Sequence, residues 1–166
     1  MSGNHNGWLV DALSRYEQPL MRYAHRLVGE PEAARDVVQD CFLRLCKQRP
    51  NKVEDHVAEW LFRVCRNRSL DLLRKDGRMH SLEDAQLQSE ELAPAESAEK
   101  RDEAGKMMRC ISSLPQRQQE VLHLKFREGL TYKQISAICD VSVSNVGFVL
   151  HTALKTLRRQ LAVRSQ

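Results

Sequence analysis

Thr131-Tyr132-Lys133-Gln134, inside a stretch that runs from Leu114 to Leu161, decides how this chain folds. The quartet is a capping box: the Thr hydroxyl accepts from one N–H at the start of a helix, and Gln134 reaches back to another. Tyr132 to Cys139 then forms a short helix with Ile135, Ile138 and Cys139 on its inner side. Asp140-Val141-Ser142 supplies a turn, and Ser142 is a good N-cap for a second helix. Beyond it Val146, Leu150, Ala153, Leu157 and Leu161 recur at spacings of four, three, four and four, one face of a long helix. A short helix, a tight turn and a longer helix with an uncovered polar face is the layout that enters a DNA major groove. A plain helical hairpin burying two apolar faces has the same signature, and this stretch alone leaves both readings open.

A length of 166 residues fits one ordinary domain or two small ones. The 42% apolar share supports packed cores, while 5% aromatic residues, 7 Gly, 5 Pro and little strand-like alternation favour an all-α chain. The net charge of +4 is unevenly spread. Residues 1–75 carry 13 basic and 10 acidic side chains, residues 76–104 carry 3 and 9, and residues 105–166 carry 10 and 3. Two basic blocks around an acidic one predict two polyanion-facing modules joined by a tether.

Cys41, Cys46, Cys65, Cys110 and Cys139 show no CxxC and no zinc-type Cys/His spacing. Four of the five fall where a helix wants a small apolar group, so they are expected to be reduced core residues. No metal or cofactor is expected. The N-terminus lacks a signal-peptide core and no run reaches membrane-spanning length, so a cytoplasmic protein without membrane insertion is expected. The chain has no Gly-rich phosphate loop and no nucleophile–base spacing, and His25, His56, His80, His123 and His151 are scattered; it is read as non-enzymatic.

In chain order, Met1 to Gly7 is a polar leader. Leu9, Leu13, Tyr16, Leu20, Ala24 and Leu27 define an amphipathic helix ended by Gly29, with a kink or break expected at Pro19. Pro31 opens the next helix, whose buried stripe is Ala34, Val38, Cys41 and Leu45, flanked by Val37 and Phe42. Arg49 to Lys52 breaks the pattern and His56 to Lys75 resumes it. Val57, Leu61, Val64 and Leu72 are expected inside, with Trp60, Phe62 and Cys65 around them, and Arg63, Arg66, Asn67, Arg68, Arg74 and Lys75 on the other side. Cations interleaved with Trp60 and Phe62 suit a nucleic-acid strand, although Trp60 is better read as core. Asp76 to Ala104 is an acidic, core-poor linker with local helix expected near Pro94 to Lys106. A second module starts at Gly105, with Met107, Met108, Ile111 and Leu114 in one helix. The next runs from Pro115 through Val121, Leu122, Leu124 and Phe126 and is closed by Gly129.

Both modules resemble the two domains of an extracytoplasmic-function (ECF) sigma factor, a small bacterial promoter-recognition subunit. The first likeness rests on Ala34-Arg35-Asp36-Val37-Val38-Gln39-Asp40-Cys41-Phe42-Leu43-Arg44-Leu45, on Trp60-Leu61-Phe62-Arg63-Val64-Cys65-Arg66-Asn67 and on Asp71-Leu72-Leu73-Arg74. The second rests on Leu114-Pro115, on Glu128-Gly129-Leu130-Thr131-Tyr132, and on Gln134-Ile135 through Val146. The resemblance implies a region 2-like domain over 8–75, an acidic linker over 76–104 and a region 4-like helix-turn-helix over 105–166. It assigns Asp36, Gln39, Asp40, Phe42 and Arg44 to the β′ clamp helices of core RNA polymerase. Asn51, Lys52 and His56, in a loop expected over 51–56, with Arg63, Asn67, Arg74 and Lys75, would contact the opened −10 strand. The second domain would read −35 duplex through Thr131, Tyr132, Ser142, Ser144, Asn145, Phe148, His151 and Lys155.

One departure stands out. The family usually places basic residues in the recognition helix where this chain has Gly147, Val149 and Thr152, and no Lys or Arg lies between Ser142 and Leu154. Direct readout there falls to Ser144, Asn145, Phe148 and His151, with Asn145 aimed at a base edge or phosphate and Phe148 at a thymine methyl. Weak isolated −35 binding is expected, partly offset by Lys155, Arg158 and Arg159. Two alternatives stay open: Phe148 as an anchor for an anti-sigma factor or the β flap, and a stand-alone dimeric helix-turn-helix regulator.

Overall fold

The computed structural model describes residues 6–77 and 98–165. Most of the expected leader (residues 1–5) and of the acidic stretch (residues 78–97) lies outside the described residues. Every regular element among the described residues is helical, as the scarcity of strand-like alternation predicts. The chain divides into two compact units.

The first unit packs α1 (Gly7–Val28), α2 (Pro31–Cys46) and α4 (Val57–Lys75) against one another in pairs. α1 ends where Gly29, at φ +81°, donates its N–H to the His25 carbonyl at 2.8 Å; the left-handed residue costs glycine nothing. The helix runs through Pro19 without the expected break. Its buried row is Ala12, Leu20, Tyr23, Ala24 and Leu27, and Leu13, expected inside, is exposed. Tyr23 accounts for that rotation. Its ring is buried at the centre of the unit, 5.5 Å from that of Phe62 and tilted 54° to it.

α2 buries Ala34, Val38, Cys41 and Leu45 as its spacing predicts, together with Val37. The segment 51–56 is not a loop. Pro50–Val53 forms a short helix, α3, and Glu54–His56 a 3-10 turn, both anchored by buried Val53. In α4 the inner face is Leu61, Phe62, Cys65, Ser69 and Leu70, while Val57, Val64 and Leu72 are half-buried. Phe62 is therefore core, away from any strand. Arg66, expected on the outer side, is also buried; a long methylene stem lets Arg line a core while its head finds polar partners.

In the second unit α5 (Ala98–Ser112) already covers residues 98–104 of the acidic stretch, where local helix was expected. α6 (Gln116–Leu122) comes directly after the Leu114-Pro115 pair. The buried Gln119 side chain donates from Nε2 to the carbonyls of Leu114 (2.7 Å) and Ser112 (3.2 Å), acceptors that the end of α5 leaves without helical partners. A π-type turn, His123–Arg127, then widens the helix by one residue, the Glu128 N–H bonding to the His123 carbonyl at 3.1 Å. The wider turn swings Phe126 outward. It is 64% exposed. Across the turn the buried side chains of His123 and Glu128 approach to 3.1 Å between Nε2 and Oε1, close in distance although not aligned as a hydrogen bond, and Gly129 closes it at φ +68°.

Candidate nucleic-acid and partner interfaces

α7 (Tyr132–Cys139) and α8 (Val143–Arg164) meet at 102°, inside the range of helix-turn-helix pairs. The capping box forms as expected: Thr131 N–H donates to Gln134 Oε1 at 2.9 Å, and Gln134 N–H to Thr131 Oγ1 at 3.1 Å. Asp140 makes the sharp turn at φ 55°, a conformation Asp tolerates better than most residues. Ser136 Oγ donates to the Val141 carbonyl at 2.5 Å, and Ser142 Oγ caps α8 by accepting from Asn145 N–H at 3.0 Å. Ile135, Ile138 and Cys139 of α7 and Val146, Val149, Leu150, Ala153 and Leu157 of α8 are buried. Leu161, the last residue of the expected stripe, is only half-buried.

Opposite that stripe, Ser144, Phe148, His151 and Lys155 are all exposed and step by four, three and four, so they form a single outward row. Phe148 is 68% exposed. Thr131, Tyr132 and Ser142 also face outward. The two hydroxyls are engaged as caps through their oxygens, yet each keeps an O–H to donate to a phosphate. Lys125 Nζ lies 5.2 Å from the Tyr132 ring centroid, and a Cβ added to Gly147 would sit 3.7 Å from the ring's Cε2. Lys125 also donates to the Leu130 carbonyl at 3.2 Å, a supporting role that nothing in its spacing signals.

Asn145, expected among these contacts, does not join the row. It is half-buried, and its side-chain Oδ1 is buried without a hydrogen-bond partner. Whichever way that amide is turned, one of its two polar atoms is sequestered, so the bidentate grip on adenine expected of Asn is out of reach.

On α2, Asp36, Gln39 and Arg44 are exposed, and Phe42 is half-buried. Asp40 is drawn inward. Its Oδ2 sits 3.0 Å from Arg44 Nε and 2.7 Å from Arg68 Nε, close in distance although not aligned as hydrogen bonds. Arg68 belongs to α4, so Asp40 ties the two helices together. Leu43, 58% exposed, lies four residues beyond Gln39 and seven beyond Asp36 on the same outward row. Its helical spacing from those two residues was the available signal for including it with them.

The remaining set is displayed in full: Asn51 and Lys52 on α3, His56 in the 3-10 turn, and Arg63, Asn67, Arg74 and Lys75 along α4 are exposed. Arg63, Asn67 and Arg74 share one row, with half-buried Trp60 at its head. Arg74 is braced by Asp71 at 3.2 Å. The cysteines play no visible part in these surfaces. Cys41, Cys65, Cys110 and Cys139 are buried, Cys46 is exposed, and none forms a disulfide. A hydrogen bond with Cys41, together with burial, pushes the Cys65 thiol well above the usual thiol range, which keeps it protonated and unreactive. Among the described residues no cluster of His, Cys, Asp or Glu is placed to hold a metal ion, and no single helix is long and apolar enough to cross a membrane.

Residues 12–79 match Sigma-70 region 2 and residues 104–157 match Sigma-70, region 4. The chain is 26% identical over 159 residues to the ECF RNA polymerase sigma factor SigE of Mycolicibacterium smegmatis, covering 93% of this chain and 62% of SigE. It is 23% identical over 164 residues to the ECF sigma factor SigW of Bacillus subtilis, covering 92% of this chain and 88% of SigW. Among solved structures, the sigma factor RpoE of Bartonella quintana, crystallised with the anti-sigma factor NepR, superposes with a TM-score of 0.63 at 22% identity, covering 93% of this chain and 96% of RpoE. CnrH, solved with the cytosolic domain of CnrY, gives 0.63 at 21% identity, covering 98% and 92%. At such identity the structural likeness speaks for the fold alone, whereas the two Sigma-70 regions, in order along the chain, identify it as a member of the ECF sigma factors of bacterial RNA polymerase.

Proposed function

We propose that this sigma factor brings core RNA polymerase to a subset of promoters through three surfaces on its two units. The first unit, within 8–75, docks on the β′ clamp helices through Asp36, Gln39, Phe42 and Arg44, with Leu43 added to the row. Asp40 acts there as a brace between α2 and α4. The same unit receives the melted −10 strand on Asn51, Lys52, His56, Arg63, Asn67, Arg74 and Lys75, where cations hold phosphates and Trp60 and Asn67 engage unstacked bases. The acidic stretch 76–104 is the tether, kept off DNA by like charge. The last unit, within 105–166, reads −35 duplex through Thr131, Tyr132, Ser142, Ser144, Phe148, His151 and Lys155, beside the β flap. The factor itself is non-catalytic and acts in the cytoplasm.

The observation that carries this reading is the pair of exposed rows, one cationic on α4 and one on the helix-turn-helix, in a chain that matches both Sigma-70 regions. An anti-sigma partner is part of the proposal, since one structural neighbour was captured with the anti-sigma factor NepR and the other with the cytosolic domain of CnrY. The test is transcription in vitro with core polymerase and genomic DNA, with start sites mapped. Starts that depend on this chain and share a two-part upstream element are expected. A chain that leaves the start-site pattern of core polymerase unchanged overturns the proposal.

A further inference from the structure

We infer that the −35 readout by α8 turns on thymine 5-methyl groups met by Phe148, so that this sigma factor selects promoters by apolar contact where a cationic recognition helix would select by guanine contacts. The inference rests on the proposed assignment of α8 to −35 DNA. The first turns of a recognition helix are the part that reaches base edges. In α8 those turns expose Val143 at the very start and then one outward row, Ser144, Phe148 and His151, before the first cation, Lys155.

Elimination narrows the chemistry. With no Arg or Lys between Ser142 and Leu154, no side chain there can grip guanine O6 and N7 in the bidentate manner. Asn145 is held half-buried with Oδ1 sequestered, which removes the bidentate contact to adenine. Ser144 bonds to any base and discriminates little. His151 can reach a base edge through only one ring nitrogen at a time and makes no bidentate contact, which leaves as the row's distinctive group a phenyl ring, 68% exposed, at its middle. Gly147 beside it carries no side chain, so nothing on that neighbour competes with the ring for the groove floor. An apolar ring against base edges gains most from the one apolar group the major groove displays, the thymine methyl.

The measurement uses holoenzyme reconstituted from the full chain and core polymerase, on a promoter whose start site has been mapped. Each −35 thymine is replaced in turn by deoxyuridine, which keeps the base pair and deletes only the methyl. Open-complex formation is expected to fall about fourfold at one or two positions, the size set by burying one methyl-sized group. Phe148→Ala should cost a similar factor on the thymine promoter and remove the further penalty of deoxyuridine. Phe148→Arg should move the preference at that position towards guanine.

The ring is exposed and makes no core contact that the substitutions would disturb, so the variants should fold. If scrambling the whole −35 element costs activity while no deoxyuridine does, the methyl contact is wrong and the −35 assignment survives. If scrambling costs nothing, the assignment of α8 to −35 DNA falls as well. Should Phe148→Ala weaken core polymerase capture and leave the deoxyuridine penalty intact, the ring faces the polymerase and the inference is overturned.

Discussion

α4 and α8 both present an exposed row, and they are built for different physics. The α4 row carries Arg63, Asn67 and Arg74, next to Lys75 and the Lys52 of α3, while the α8 row carries Ser144, Phe148 and His151 before it meets Lys155. One surface attracts a strand by charge, over a distance that salt shortens. The other gains only on close contact, where shape and methyl groups matter. A chain so divided needs the first surface, and the polymerase, to deliver the second. That division implies weak binding of −35 duplex by the chain alone.

The largest effect should come from neither row. Asp36→Arg with Gln39→Ala replaces two exposed residues of α2 and should weaken core polymerase binding at least about 30-fold, the size of an interface hot spot. Fluorescence anisotropy with labelled chain measures it; unchanged binding would relocate the docking face. Next in size is the salt dependence of holoenzyme on a forked −10 template. Arg74→Ala with Lys75→Ala should reduce the slope of log affinity against log salt by about 1.4, from about 0.7 per phosphate contact on a single strand. His151→Ala should leave that slope unmoved, and an equal change from both would erase the distinction between the rows.

Smaller effects test the scaffold of the second row. Ser142→Ala removes the cap of α8 and should cost about 1 kcal/mol by denaturant melting. Gly147→Ala should stabilise by up to about 1 kcal/mol, because glycine is a poor helix former. The new methyl meets Tyr132 at an ordinary 3.7 Å, so no clash opposes it. A loss of stability there would mean that the Tyr132 ring needs the bare backbone.

Much was legible from spacing and punctuation. The capping box at Thr131, the cap at Ser142, the end of α1 at Gly29 and the start of α2 at Pro31 appear where their local chemistry places them. The stripes of α2 and of most of α8 are buried as their periods require. Less was legible in α4, where three cations (Arg63, Arg66 and Arg68) and two aromatics (Trp60 and Phe62) crowd three turns and several rotations look equally amphipathic. Packing of the Phe62 ring beside Tyr23 chose one of them, which carried Arg66 inward and left Val64 at the margin. The candidate site shows the same division. Outward residues opposite a clear stripe were readable, whereas the retreat of Asp40 to Arg68, the sequestered Asn145 and the exposure of Phe126 were not.

The sequence by itself determined an all-helical chain, the ends of most of its helices, and a turn of helix-turn-helix type, because capping and periodicity act within three or four residues. Tertiary structure alone decided which way α4 turns, how the π-type turn redirects Phe126, and which polar side chains remain available to a partner. Those outcomes depend on groups far apart in the chain competing for one interior, and no local pattern records who wins.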